Sequence, residues 1–188
     1  MRPFSGGPAL LSAALLLAVL PARAQNAAAP AIGVGTPIGP ADLSRYFAIP
    51  PDGTGLPPGS GTAAQGAAIY AQHCIACHGD KLQGVKAIGG PALVGGRGTL
   101  AGSPEKTVES YWPYATTLFD YVKRAMPMDA PGSLTDDQVY ALVAFVLAAG
   151  RIVPQDAAVD ARTLPMIRMP NRDGFVPDHR PEPQLYAP

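Results

Sequence analysis

Apolar positions fall into helical stripes between residues 62 and 150. Gly66, Ile69, Tyr70 and His73 stand at i, i+3, i+4 and i+7, the spacing of one helix face. Thr62-Ala63-Ala64-Gln65 precedes them. It is a capping box, in which a hydroxyl and an amide side chain satisfy free backbone donors reciprocally, so a helix is expected to open there. Leu118, Tyr121, Val122 and Ala125 form a second stripe that stops at Met126-Pro127. Thr135-Asp136-Asp137-Gln138 is another capping box, with Leu134 and Val139 spaced as its hydrophobic staple. Asp136 and Asp137 also suit the positive end of a helix dipole, and Gly150 is placed to cap the other end. Within that helix all eleven residues from Val139 to Ala149 are apolar. A helix apolar all round is buried all round, and a bilayer span needs about 20 residues. One face can pack on the first helix; the other needs a cover, from the flanking segments or from a partner subunit. Ser103-Pro104 can start a short extra helix, with Ser as cap and Pro in its first turn. No alternating run is long enough to demand a sheet, so the expected class is all-α.

Proline divides the chain. Residues 25–61 and 151–188 hold seven prolines each, against five in the longer stretch 62–150. Proline removes a backbone donor and fixes φ, so the centre can carry helices while the flanks mostly cannot. At the N-terminus Arg2 is followed by the 12-residue apolar run Ala9–Leu20 and by Pro21-Ala22-Arg23-Ala24. A positive start, an apolar stretch and a small-x-small end predict a secretory signal cleaved after Ala24. The expected organisation is a signal peptide over 1–24, a proline- and glycine-rich arm over 25–61, a helical domain over 62–150 and a proline-rich arm over 151–188. A periplasmic location follows, without a transmembrane segment after cleavage.

Charge narrows the partners. The expected mature chain loses Arg2 and Arg23, which leaves 12 basic and 14 acidic residues, a formal charge of −2. Without a basic patch or run, a nucleic-acid footprint is not expected.

Cys74 and Cys77 are the only cysteines, and with His78 they spell C-x-x-C-H. The motif is the covalent attachment site of a c-type haem. One helical turn presents both sulfurs to one edge of the ring, and the histidine supplies the proximal imidazole. A thiol–disulfide redox site uses C-x-x-C but has no need of the histidine. A zinc site needs a second ligand pair, and no further cysteine exists. Chance occurrence is the remaining alternative. One motif predicts one haem.

A low-spin electron carrier needs a sixth ligand. Met126, Met128, Met166, Met169, His73 and His179 are candidates. Met126 is favoured: it ends a helical stripe, precedes a proline and lies 48 residues after His78. Met128 is its nearest competitor. A thioether ligand raises the reduction potential relative to bis-histidine; the bland reading of either methionine is core filler. The loop Gly79–Gly98 carries seven glycines and can lie close to a flat cofactor. Arg97, Tyr111, Trp112 and Tyr114 are candidate propionate partners, beside the plainer readings of a solvated arginine and a packed tryptophan.

Gly66, Tyr70, Cys74-x-x-Cys77-His78-Gly79, Pro91, Met126-Pro127 and the final helix together resemble class I cytochrome c. That resemblance covers roughly residues 62–150. It implies that the Pro91 carbonyl accepts the second N–H of His78 and that Leu93 packs on the haem face. A narrower resemblance lies in Gly89-Gly90-Pro91-Ala92-Leu93-Val94-Gly95-Gly96-Arg97-Gly98-Thr99-Leu100, in Tyr111-Trp112-Pro113-Tyr114-Ala115-Thr116-Thr117 and in Arg168-Met169-Pro170-Asn171-Arg172-Asp173-Gly174-Phe175. These stretches look like the SoxD family, cytochrome subunits of the sulfur-oxidising Sox pathway; haem subunits of sulfite dehydrogenases are close relatives. The resemblance implies a molybdenum-containing SoxC-like partner or a sulfite dehydrogenase catalytic subunit as electron donor, and a downstream soluble cytochrome c as acceptor. Longer family members carry two haems, whereas this chain has a single attachment motif. A free periplasmic carrier is the alternative function, and a haem enzyme or gas sensor would need an open iron position. With no acid–base pair, nucleophile triad or phosphate loop, the isolated chain is not expected to be a catalyst.

Overall fold

Both capping boxes form. Thr62 Oγ1 accepts from the Gln65 amide at 3.2 Å, and Gln65 Oε1 accepts from the Thr62 amide at 2.9 Å. Thr135 and Gln138 repeat the arrangement at 3.3 and 2.8 Å. These boxes open helices α1 (Ala63–His73) and α4 (Asp136–Ala149). Between them lie the short α2 (Ile75–His78) and the amphipathic α3 (Ala115–Ala125). The computed structural model describes residues 48–102 and 105–176. The expected signal peptide, most of the expected N-terminal arm, the Ser103-Pro104 helix start and His179 lie outside the described residues.

Helix α4 is the centre of the core. Val139, Tyr140, Val143, Ala144, Leu147 and Ala148 are fully enclosed. Helix α1 crosses α4 at Gly66, where an added Cβ would sit 1.9 Å from the Ala141 carbonyl oxygen. Only glycine permits this approach. Tyr70 and Phe145 pack beside the crossing with ring centroids 5.1 Å apart. On α3, Phe119 meets Tyr140 at 4.5 Å. Leu134 and Val139 are both buried, as the staple requires.

The cover for the rest of α4 comes from this chain's own flanks. Strand β1 (Ser60–Thr62) pairs antiparallel with β2 (Ala158–Asp160), with Gly61 opposite Val159. An added Cβ at Gly61 would meet the Ala141 amide nitrogen at 2.2 Å, so the small sheet lies directly on α4. This sheet departs from the all-helical expectation. Three-residue strands carry too few positions for alternation to show in sequence. Val159, Leu164 and Met169 are as buried as the helices' own core residues. The core therefore runs past both 62 and 150.

Gly150 caps α4, but its φ of −76° is ordinary. The left-handed residue is Arg151, at φ 54°. Its amide donates to the Ala148 carbonyl at 2.9 Å, and the Ile152 amide reaches the Leu147 carbonyl at 2.9 Å. The two bonds make a Schellman ending with arginine where glycine is usual. Among the described residues no helix is long and apolar enough to cross a membrane.

Candidate haem site

Cys74 interrupts the path from α1 into α2. Its amide still reaches the Tyr70 carbonyl at 2.9 Å, but its φ and ψ of −124° and −30° break the helix. Helix α2 then turns once, with the amides of Cys77 and His78 donating to the Cys74 carbonyl at 3.1 and 2.9 Å. This single turn presents Cys74, Cys77 and His78 together. Cys77 is exposed, whereas Cys74 is half-buried against the core. Burial, and secondarily the neighbouring Cys77, push the Cys74 thiol up to about 11.

His78 Nδ1 lies 2.9 Å from the Pro91 carbonyl oxygen. A carbonyl can only accept, so this partner puts the proton on Nδ1 and leaves Nε2 free as a ligand. The contact that the family resemblance implied is present. Leu93 lies two residues on, half-buried against the core, with its amide on the Leu82 carbonyl at 2.8 Å.

Met126 is the C-cap of α3; its amide bonds the Val122 carbonyl at 3.1 Å, and its side chain is half-buried. Met128 and Met166 are 76% and 79% exposed, while Met169 is enclosed in the core. His73 is exposed at the end of α1. Trp112 is half-buried and meets the Tyr121 ring edge-on at 5.5 Å. Tyr114 is covered by the guanidinium of Arg172 at 4.3 Å, and Tyr111 packs edge-on against Phe175 at 5.3 Å. Arg97 is engaged by the protein itself. It pairs with Glu109 at 3.0 Å and donates to the Gly150 carbonyl at 2.6 Å. There it serves the negative end of α4, while its side chain stays 47% exposed.

Three further residues shape the site, and of these only Gly84 lies outside the sequence resemblances. The Tyr70 hydroxyl donates to the Gly79 carbonyl at 2.7 Å. Gly84, at φ 79°, donates its amide to the His78 carbonyl at 2.8 Å. Gly90 lies so close that a Cβ would fall 1.9 Å from the Cys77 carbonyl oxygen. The glycine-rich composition marked the loop but not which glycine is indispensable. Tyr70 stands in the apolar stripe and in the class I cytochrome c resemblance, but neither shows which carbonyl its hydroxyl meets.

The donor set fits haem c. Two thiols and an oriented imidazole share one turn, and the imidazole's second nitrogen has the carbonyl partner that ligating histidines usually have. A tetrahedral zinc site takes four protein ligands, and among the described residues no group of three or more His, Cys, Asp or Glu is placed to hold a metal ion.

Comparison with known proteins points the same way. Residues 61–146 match the family model described as cytochrome c oxidase, cbb3-type, subunit III. Thiosulfate dehydrogenase of Stutzerimonas stutzeri is 31% identical over 128 residues, which are 66% of this chain. The chain spans 38% of that relative's length. The crystal structure of the sulfane dehydrogenase SoxCD from Paracoccus pantotrophus contains a chain that superposes with a TM-score of 0.70 at 40% identity, over 79% of this chain and 73% of that one. Membership of the cytochrome c family implies haem c as cofactor. The chain belongs to the class I cytochromes c, and within them it is SoxD-like.

Proposed function

We propose that the protein is a periplasmic monohaem cytochrome c that serves as the electron-transfer subunit of a molybdenum-dependent sulfur-compound dehydrogenase. Its electrons would come from a SoxC-like subunit, or from a sulfite dehydrogenase catalytic subunit, and pass to a downstream soluble cytochrome c. In this reading Cys74 and Cys77 would tether one haem, His78 and Met126 would be its iron ligands, Leu93 would pack on the ring and Trp112 would offer its indole N–H to a propionate. The observation that carries it is the His78–Pro91 contact of 2.9 Å on a C-x-x-C-H turn. When bound, haem supplies a one-electron iron couple. The protein's own part is to fix the imidazole, shed water from the ring and offer a thioether. The likeness to SoxCD and to thiosulfate dehydrogenase supports a reduced sulfur compound as the ultimate donor. The chain would be exported by its N-terminal signal and would not be a catalyst alone.

A free periplasmic carrier is the second reading. The packing of Val159, Leu164 and Met169 onto the chain's own core favours it, because a self-contained domain needs no partner to cover α4. Native purification with molybdenum and haem assays separates the two. Stoichiometric molybdenum with a second, larger chain is the expected result. A lone haem protein from cells oxidising reduced sulfur would overturn the subunit reading.

A further inference from the structure

The turn that bears His78 ends in three consecutive carbonyls, and each has a partner. The Cys77 carbonyl accepts from the Val85 amide at 3.0 Å and the His78 carbonyl from the Gly84 amide at 2.8 Å. The Gly79 carbonyl accepts from the Leu82 amide at 3.3 Å and from the Tyr70 hydroxyl at 2.7 Å. Val85 and Gly90 then exchange backbone bonds at 2.9 and 3.1 Å. That pair delivers Pro91, whose carbonyl meets His78 Nδ1. The frame leaves no slack: a Cβ on Gly84 would fall 2.6 Å from the Gly90 carbonyl oxygen and the Ala92 nitrogen.

Apart from the His78 contact, the other bonds just named join backbone to backbone; the Gln83 side chain adds bonds only within the loop, accepting from the Lys81 amide at 2.8 Å and donating to Asp80 at 3.0 Å. Tyr70 brings in a side chain from α1, anchored where α1 crosses α4. Its ring is 3% exposed, lies against Phe145 and needs the hydroxyl bond to be buried at no loss. Burial raises the phenol's pKa well above its ordinary value, so it remains a donor.

We infer that Tyr70 is a positioning residue for the haem-ligating histidine: its hydroxyl ties the His78 turn to α1 and thereby sets the His78–Pro91 bond. The inference rests on the haem reading above. An imidazole that donates firmly to a carbonyl is a more basic ligand, and a more basic ligand favours ferric iron. Freeing the Gly79 carbonyl slackens the frame, weakens the bond at Nδ1 and raises the reduction potential.

The test compares Tyr70→Phe with Phe145→Leu in the haem-loaded full chain. Redox titration, thermal unfolding and the paramagnetically shifted ring resonances of His78 are measured in each. Tyr70→Phe keeps the ring and loses only the hydroxyl; Phe145→Leu keeps the hydroxyl bond and loosens the crossing. The expected result is that Tyr70→Phe raises the ferrous-to-ferric ratio at fixed ambient potential about threefold, as a weakened bond at the ligand's second nitrogen requires, and moves the His78 resonances. Phe145→Leu lowers the unfolding temperature and leaves both unchanged. Equal potentials in wild type and Tyr70→Phe, or equal shifts in both variants, would overturn the inference and leave the haem reading standing. A wild-type chain purified without covalently bound haem would instead overturn the haem reading.

Discussion

At the scale of single residues, close approach and burial decide more than chemical type. Gly66 is the clearest case. Because a Cβ there would lie 1.9 Å from a backbone oxygen of α4, Gly66→Ala must push the two helices apart. We expect a loss of about 3 kcal/mol in denaturant unfolding, the upper range for overpacking. A loss under about 1 kcal/mol would mean that the crossing relaxes. Tyr140 gives a pH signature. It is enclosed, donates to the Pro57 carbonyl at 2.8 Å, and its phenol is pushed from 10.0 up to about 12, by burial first and then by Asp136 and Asp160. The native state thus holds this proton to higher pH than the unfolded chain does. The associated stability is complete below pH 10 and is lost as pH rises towards 12. Urea unfolding of wild type should weaken across that window, and Tyr140→Phe should flatten the slope. Equal slopes in the two proteins would remove Tyr140 as the cause. The sequence names both residues, but not that one meets a carbonyl and the other a closed core, since neither neighbour is near in sequence.

At the scale of elements, local chemistry set the boundaries. Both capping boxes and the Leu134–Val139 staple could be read directly, because each involves residues within five positions. Thr135→Ala should cost about 1 kcal/mol, measured by thermal or urea unfolding. The other end of α4 was only half legible. Gly150 is the cap, yet Arg151 takes the left-handed conformation. That geometry disfavours a side chain, so Arg151→Gly should stabilise the protein by about 1 kcal/mol. Destabilisation would show that the arginine has a compensating contact. Arg97 illustrates the same limit. Its bonds to Glu109 and Gly150 bring together positions 53 residues apart, and nothing in the loop sequence announces them.

At the scale of the whole molecule, the segment after α4 is part of the core. Leu164 and Met169 are fully enclosed, and Asn171 holds the Tyr111 carbonyl at 2.6 Å. Leu164→Ala should cost about 3 kcal/mol, and a chain ending at residue 157 should unfold at a much lower temperature. Unchanged unfolding of that truncated chain would show that β2 and the residues after it are dispensable. From the sequence alone came the haem motif, three principal helices, their caps and the need to cover an all-apolar helix. These are properties of neighbouring residues, fixed by helical period and hydrogen-bond reach. Only the tertiary structure decided what provides the cover, how the His78 turn is framed and which partners Arg97 takes. The Ser60–Thr62 pairing with Ala158–Asp160 spans nearly a hundred positions. Such contacts form because the whole chain must bury one shared surface, and no local pattern records which distant segments will meet there.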